Sequence, residues 1–355
     1  MKSICLLCAA LFLLSCKTDT AWPTPEDLID PLTLGDGSGY PGSAWDRAPS
    51  PEALGWSSRQ LEEANERARQ NGSDALLVVD RGVAVWEYGD IAKVHVIQSA
   101  RKSFLSVLYG IAWARHEVDL TATLEELGID DLPPSLTAEE KQADVEELLM
   151  ARSGVYHEAA AESQSMKDAR PARGSHPHGT FWYYNNWDFN ALGTIYRQRT
   201  GEDIFQSLYE RIGLPLQMED WDPGDGFYQY EAVSMHPAYH MNMSARDMAR
   251  FGLLMARKGR WRQSQILPQE WVARSTRPGS DAGANWNYGY LWWVGKPEKW
   301  NGRVLYAARG GSGHMIVVVP DQEIVVVHRV NPATYANGWT EVEDIIRQAL
   351  AAKIL

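Results

Sequence analysis

The chain has 355 residues, 45% of them hydrophobic and 10% aromatic with 15 Trp, which fits a globular protein with a large buried interior. Its formal charge of −12 excludes a phosphate-backbone binder, which needs a basic face, so no nucleic-acid partner is expected. All three cysteines, Cys5, Cys8 and Cys16, fall in the first 16 residues, leaving the rest no thiol for a disulfide, a metal or catalysis.

Taken in chain order, residues 1–16 read as an export signal. Lys2 is a short positive start, and "ICLLCAALFLL" (4–14) is an apolar run too short to span a bilayer. It ends in "LLSC", which resembles the bacterial lipobox and implies lipidation of Cys16 after cleavage; an ordinary secretory peptide cut nearby is the alternative. Lys17 after the lipid site favours the periplasmic face of an outer membrane. The expected location is therefore the cell envelope, with the membrane engaged through the lipid only, or the secreted fraction. Residues 17–50, rich in Pro, Gly, Asp, Ser and Thr, read as a tether and an extended segment on the domain that follows.

Residues 51–355 are expected to form that domain. Ser57 or Ser58 can cap a helix with Leu61, Ala64 and Ala68 on one face, and Asn71-Gly72 can stop it. "ALLVVDRGVAVWEYG" gives two β-rich runs around Asp80-Arg81-Gly82, a hairpin signal. From about Ser99 a helix follows, with Phe104, Val107, Leu108, Ile111 and Ala112 at helical spacing. Residues 117–280 read as a mostly helical insertion. Within it, "TAEEKQADVEELLMA" (137–151) has Thr137 and Glu140 in a capping-box pattern, and "MSARDMARFGLLMARKG" (243–259) has Ser244 as cap and Gly259 past the end. The last stretch reverts to strands, "YGYLWWVG", "RVLYAARG", "HMIVVVP" and "EIVVVHRV", before an amphipathic helix from Trp339. The class is α+β: an antiparallel sheet shared by the first and last thirds, flanked by N- and C-terminal helices, with an all-helical insertion whose edge against the sheet should form a cleft.

At the start of the second helix, Ser99 and Lys102 stand one turn apart. They allow a capped helix with a snorkelling lysine, a binding pocket, or a nucleophile with its base. On a helix, residues three apart share a face, so Ser99 Oγ and Lys102 Nζ can meet. The helix N-terminus suits a developing oxyanion, and a lysine in a dry pocket can lose its proton. Two further stretches stand out. "FWYYNNWDFNALGTIY" (181–196) offers Tyr184-Asn185-Asn186 leading into a helix, and "YAARGGSGHMIVVVP" (306–320) is a strand reaching a glycine cluster.

Ser-x-x-Lys, Tyr-x-Asn and a glycine-bearing strand, in that order, resemble the serine β-lactamase and penicillin-binding protein superfamily. The nearest branch is that of class C β-lactamases, D-amino-acid-peptide hydrolases and related carboxylesterases. The likeness runs from about Pro51 to the C-terminus and includes "ARSGVYH", "IGLPLQM", "MSARDMARFGLLM" and "NYGYLWWV". It implies Ser99 as nucleophile forming an acyl-enzyme, Lys102 as its base and Tyr184, rather than Tyr183, as the second proton carrier. It further implies that Asn186 holds Lys102 and a substrate carbonyl, and that the backbone N–H groups of Ser99 and Gly311 form the oxyanion hole. Where those enzymes carry Lys-Thr-Gly, this chain has Ala308-Arg309-Gly310. Arg309 is either a carboxylate anchor or the partner of an acidic neighbour. Loss of Lys and Thr counts against efficient β-lactam hydrolysis and leaves ester or amide cleavage intact.

No cofactor and no metal are expected. His176 and His178, and His236 and His240, are spaced as metal ligands could be, but Pro177 and Pro237 imply loops. His157 is expected to line the cleft, and His314 to lie on a strand surface or face the site. Trp182 and Tyr183 are expected to pack between insertion and sheet, and one indole of "YLWWVG" can stack on an apolar acyl group. The expected activity is an exported serine hydrolase acting on a small-molecule or peptide ester or amide. Its rivals are a β-lactamase or D,D-peptidase of cell-wall peptides and a non-catalytic ligand-binding lipoprotein.

Overall fold

The computed structural model describes residues 24–335 and 337–355; Cys16, Lys17 and the export-like segment lie outside the described residues. At the centre is an antiparallel sheet of eight strands. Their spatial order is Val83–Gly89, Ala75–Asp80, Ile324–Arg329, His314–Val319, Tyr306–Gly310, Trp293–Gly295, Trp286–Tyr288 and Ser280–Asp281. The first strand in the chain, Ala75–Asp80, pairs with the last, Ile324–Arg329, so the first and last thirds share the sheet as expected.

Both faces of the sheet are covered, and successive side chains serve opposite covers. Leu76, Val78, Val317 and Val326 join the core made with the N-terminal helix Ser58–Gln70 and the C-terminal helix Trp339–Ala351. Leu77, Val79, Ile316 and Val325 join the core made with Phe104 of the Arg101–Ala114 helix and Phe251 of the Ala245–Ala256 helix, whose rings stack at 3.7 Å. The local signals act as their chemistry predicts. Ser57 Oγ accepts the N–H of Gln60, and Ser244 Oγ accepts that of Asp247. Arg81 and Gly82 turn the first hairpin with φ of 47° and 85°, the left-handed pair a two-residue turn requires.

The middle third is a helical insertion, as expected, but it is not wholly helical. Strands Gly226–Gln229 and Ala238–Met243 pair there, and His95–Val96 adds a third strand beside Ala238–Met243. In sequence His240 and Asn242 break up the apolar run of that strand and hide it. The helix expected over 137–151 is divided. Thr137 and Glu140 do exchange capping bonds, but Ala143 leaves the turn, and Asp144 caps a new helix, Val145–Leu149, by accepting the N–H of Glu147. "YGYLWWVG" is likewise two strands, interrupted where Leu291 takes φ 62°. Upstream, Trp45 is buried and donates to the Arg246 carbonyl, and Arg47 bridges Ala84. No helix among the described residues is long and apolar enough to cross a membrane.

Candidate active site

Three elements converge where the insertion meets the sheet. The first is a tight turn, Gln98–Ala100, which runs straight into the Arg101–Ala114 helix. Gln98 takes φ 52°, a conformation disfavoured for a residue with a side chain, and it presents Ser99 at the bend. The second is the start of the Asn186–Thr200 helix, capped by Asn185, whose side chain accepts the N–H of Asp188. The third is the end of the Tyr306–Gly310 strand. Gly310 lies so close to the turn that a Cβ there would come within 2.1 Å of the Ile97 carbonyl oxygen, so only glycine fits.

Lys102 is the hub. Its Nζ lies 2.8 Å from Ser99 Oγ, 3.0 Å from Tyr184 Oη and 2.9 Å from Asn186 Oδ1. Ser99 is thus no N-cap, because its hydroxyl turns to Lys102, and Lys102, 1% exposed, is no snorkeller. Burial pushes the ammonium well below its ordinary pKa, and the neighbouring Arg101 charge adds to the effect. A neutral amine has two N–H groups and one lone pair. Asn186 Oδ1 can only accept, so it takes one N–H; of the Ser99 and Tyr184 hydroxyls, one accepts the other N–H while its partner donates to nitrogen. That is the arrangement a base needs beside a hydroxyl nucleophile. Burial raises the Tyr184 phenol above its ordinary value, against the pull of the Ser99 hydroxyl, Arg101 and Arg309. Tyr183 is placed elsewhere, its hydroxyl donating to the Met166 carbonyl at 2.6 Å.

Asn186 departs from expectation in one respect. Its Nδ2, expected to reach a substrate carbonyl, donates to the Ala161 carbonyl at 2.6 Å, with that of Ala160 at 3.5 Å, because this backbone folds over the amide. Arg309, which lines the larger cleft beside Ser99, has an acidic neighbour. It lies 3.4 Å from Glu343 of the C-terminal helix and within 4.1–4.8 Å of the rings of Trp339, Trp293 and Trp286. Burial lowers its pKa to about 10, with Glu343 opposing.

Ser99 and Gly311 line two clefts that meet at the hydroxyl. One, of about 650 Å³, is walled by Trp182, Trp286, Trp293, Trp339 and Tyr184. The other, of about 520 Å³, is polar, with Arg101, Glu162, Gln229, Glu231 and His240. Trp182 sits against Tyr184, Tyr288 and Trp293, packing between insertion and sheet and forming a cleft wall as well.

The histidines take separate places. His176 stacks on Phe181, His178 meets Glu147, and His236 bonds Thr194 and the Asp130 carbonyl. No group of three or more His, Cys, Asp or Glu among the described residues could share a metal. His157 was expected at the cleft but belongs to neither; it packs beside Trp187, because the chain beyond Gly154 turns under the Asn186–Thr200 helix. His314 is neither on a surface nor at the site. It is fully buried at the start of a strand covered on both faces. The sequence reading missed Arg101, directly before Lys102 at the start of a mostly apolar helix, and treated His240 only as a possible ligand. A second cation beside Lys102 was the available signal.

The beta-lactamase family model matches residues 59–351, most of the chain and all of the elements just described. The chain belongs to the beta-lactamase family. Solved structures of this superfamily share its fold. A Bacillus anthracis protein whose name proposes 6-aminohexanoate-dimer hydrolysis is 21% identical, with a TM-score of 0.62, covering 81% of this chain and 80% of its own. An octameric penicillin-binding protein homologue from Pyrococcus abyssi is 16% identical (TM-score 0.62, covering 82% and 76%). A D-stereospecific amidohydrolase from Streptomyces is 18% identical (TM-score 0.59, covering 81% and 98%). No curated protein sequence matches.

Proposed function

We propose that this member of the family is an exported serine hydrolase that cleaves an ester or amide through an acyl-enzyme on Ser99. The observation that carries the reading is the Lys102 hub, which links a serine, a phenol and an amide from two distant parts of the chain at 2.8–3.0 Å. Neutral Lys102 takes the Ser99 proton as Oγ bonds to the carbonyl carbon. The oxyanion is held by the N–H groups of Ser99 and Gly311. As the C–O or C–N bond breaks, the proton passes through Tyr184 to the leaving group. Water then replaces the leaving group, gives its proton to the same pair and frees the acid, restoring Ser99.

Within the superfamily we place the chain in the class C-related branch of esterases and D-peptide hydrolases. Family membership keeps a lactamase or D,D-peptidase in view. The occupation of Arg309 by Glu343 and three indoles weighs against the substrate-carboxylate grip that Lys-Thr-Gly provides. Turnover of a short-chain nitrophenyl ester against a chromogenic cephalosporin separates the two, and ester turnover is expected to dominate. A fluorophosphonate probe should label wild type and not Ser99→Ala; a wild type that resists labelling would point to the ligand-binding alternative. We read Cys16 as the lipid site, so Cys16→Ser should move the protein from membranes to the soluble fraction.

A further inference from the structure

We propose that the polar cleft binds a carboxylate carried by the substrate, with Arg101 as its anchor. The inference rests on the serine-hydrolase reading and narrows its substrate class. Arg101 is 2% exposed, and its Nε and Nη2 are buried with no hydrogen-bond partner. Its guanidinium carbon lies 5.2 Å from the centre of the Tyr239 ring, and among the described residues no carboxylate pairs with it. A buried, uncompensated guanidinium is costly, and the cost is recovered when an anion arrives.

The acidic groups of the same cleft have other partners. Glu162 pairs with Arg170, and Glu231 accepts the Ala161 N–H at 2.9 Å and the Gln229 amide at 2.6 Å. Neither carboxylate forms an ion pair with Arg101, which leaves its guanidinium for an incoming anion. His240 adds an Nε2 that is likewise buried without a partner, and burial, with the Arg101 charge beside it, pushes its pKa down to about 3, so the ring is neutral. The planar guanidinium fork matches a carboxylate, and its place two residues after Ser99 puts that carboxylate beside the reacting carbonyl, on the side away from the indoles. Arg309 supplies the contrast within this chain: also buried, it has its carboxylate built in.

The test compares ester pairs that differ only in this charge. The 4-nitrophenyl hemiester of adipate is set against its methyl ester for the acyl side, and the acetyl ester of 4-hydroxybenzoate against that of its methyl ester for the leaving side. In at least one pair wild-type kcat/KM should favour the charged member by roughly tenfold or more. The preference should vanish in Arg101→Met, survive in part in Arg101→Lys and remain in Arg309→Met. Equal or better turnover of the neutral member in both pairs overturns the proposal from wild type alone, whatever the variants do. A preference that survives Arg101→Met overturns it too. If Ser99 is labelled and neutral esters turn over without any charge preference, only the carboxylate site falls; if nothing is labelled or hydrolysed, the hydrolase reading falls and takes this inference with it.

Discussion

The two clefts on either side of Ser99 each bury an arginine, and the two arginines are solved differently. Arg309 has its counter-charge within the protein: a carboxylate on the C-terminal helix lies 3.4 Å away and three indole faces surround it, although its Nε makes no hydrogen bond. Arg101 has burial without a counter-charge. A paired buried cation contributes to architecture. An unpaired one is a standing cost that the fold must offset elsewhere, and such costs gather where ligands bind.

The largest expected effect tests whether the chemistry stands where the clefts meet. Tyr184→Phe should lower kcat for ester hydrolysis by about 10²- to 10⁴-fold, as loss of a proton carrier does, while Tyr183→Phe should stay within a few-fold. Equal losses would mean that the Lys102 hub is a packing device.

The next tests the arginine contrast through stability. Glu343→Gln leaves Arg309 as unpaired as Arg101 and should cost about 3 kcal/mol in urea unfolding, since one partner of a buried pair is gone. Arg101→Met, which removes a charge that has no partner, should be neutral or stabilising in the same measurement. Opposite signs would abolish the distinction drawn between the clefts.

The smallest effect concerns a third buried charge, behind the site. Burial raises Asp188 from 3.8 to about 7, although Ser153 Oγ donates to it at 2.5 Å. The unfolded chain releases this proton near pH 4 and the folded chain near pH 7, so the folded state binds more protons in between and stability falls as pH rises through that window. Asp188→Asn does not titrate. Its stability relative to wild type should therefore climb between pH 4 and 7, by a few kcal/mol at most, and level off above. Urea midpoints across that range measure it, and a flat difference would mean that Asp188 is ionised throughout the range and its pKa is not raised by folding.

Much of this was legible in the sequence because it is written locally. Ser57 and Ser244 announce helix starts, Arg81-Gly82 a hairpin, and the Val- and Ile-rich runs a buried sheet. The spacings of Ser99, Lys102, Tyr184 and Asn186 carried the resemblance. What could not be read was set by partners distant in the chain. Nothing near Arg309 says that Glu343, one helix away, will claim it. Nothing near Asn186 says that the Ala161 carbonyl will take its amide. The split at Asp144 follows from two capping signals competing within one apparent helix, and the Ala238–Met243 strand was concealed by its polar residues.

The pairing of the first strand with the last has a consequence for biosynthesis. Ser99 comes from the opening third of the chain, Tyr184 from the middle and Gly311 from near the end, and the sheet that gathers them closes only when Ile324–Arg329 is available to Ala75–Asp80. Closure between strands so far apart in sequence is slow in general and leaves apolar strands uncovered until synthesis nears its end. A polypeptide stalled short of its last strands would carry Ser99 and Lys102 without the sheet edge that brings Gly311 beside them, so on the proposed mechanism the site is completed late and all at once.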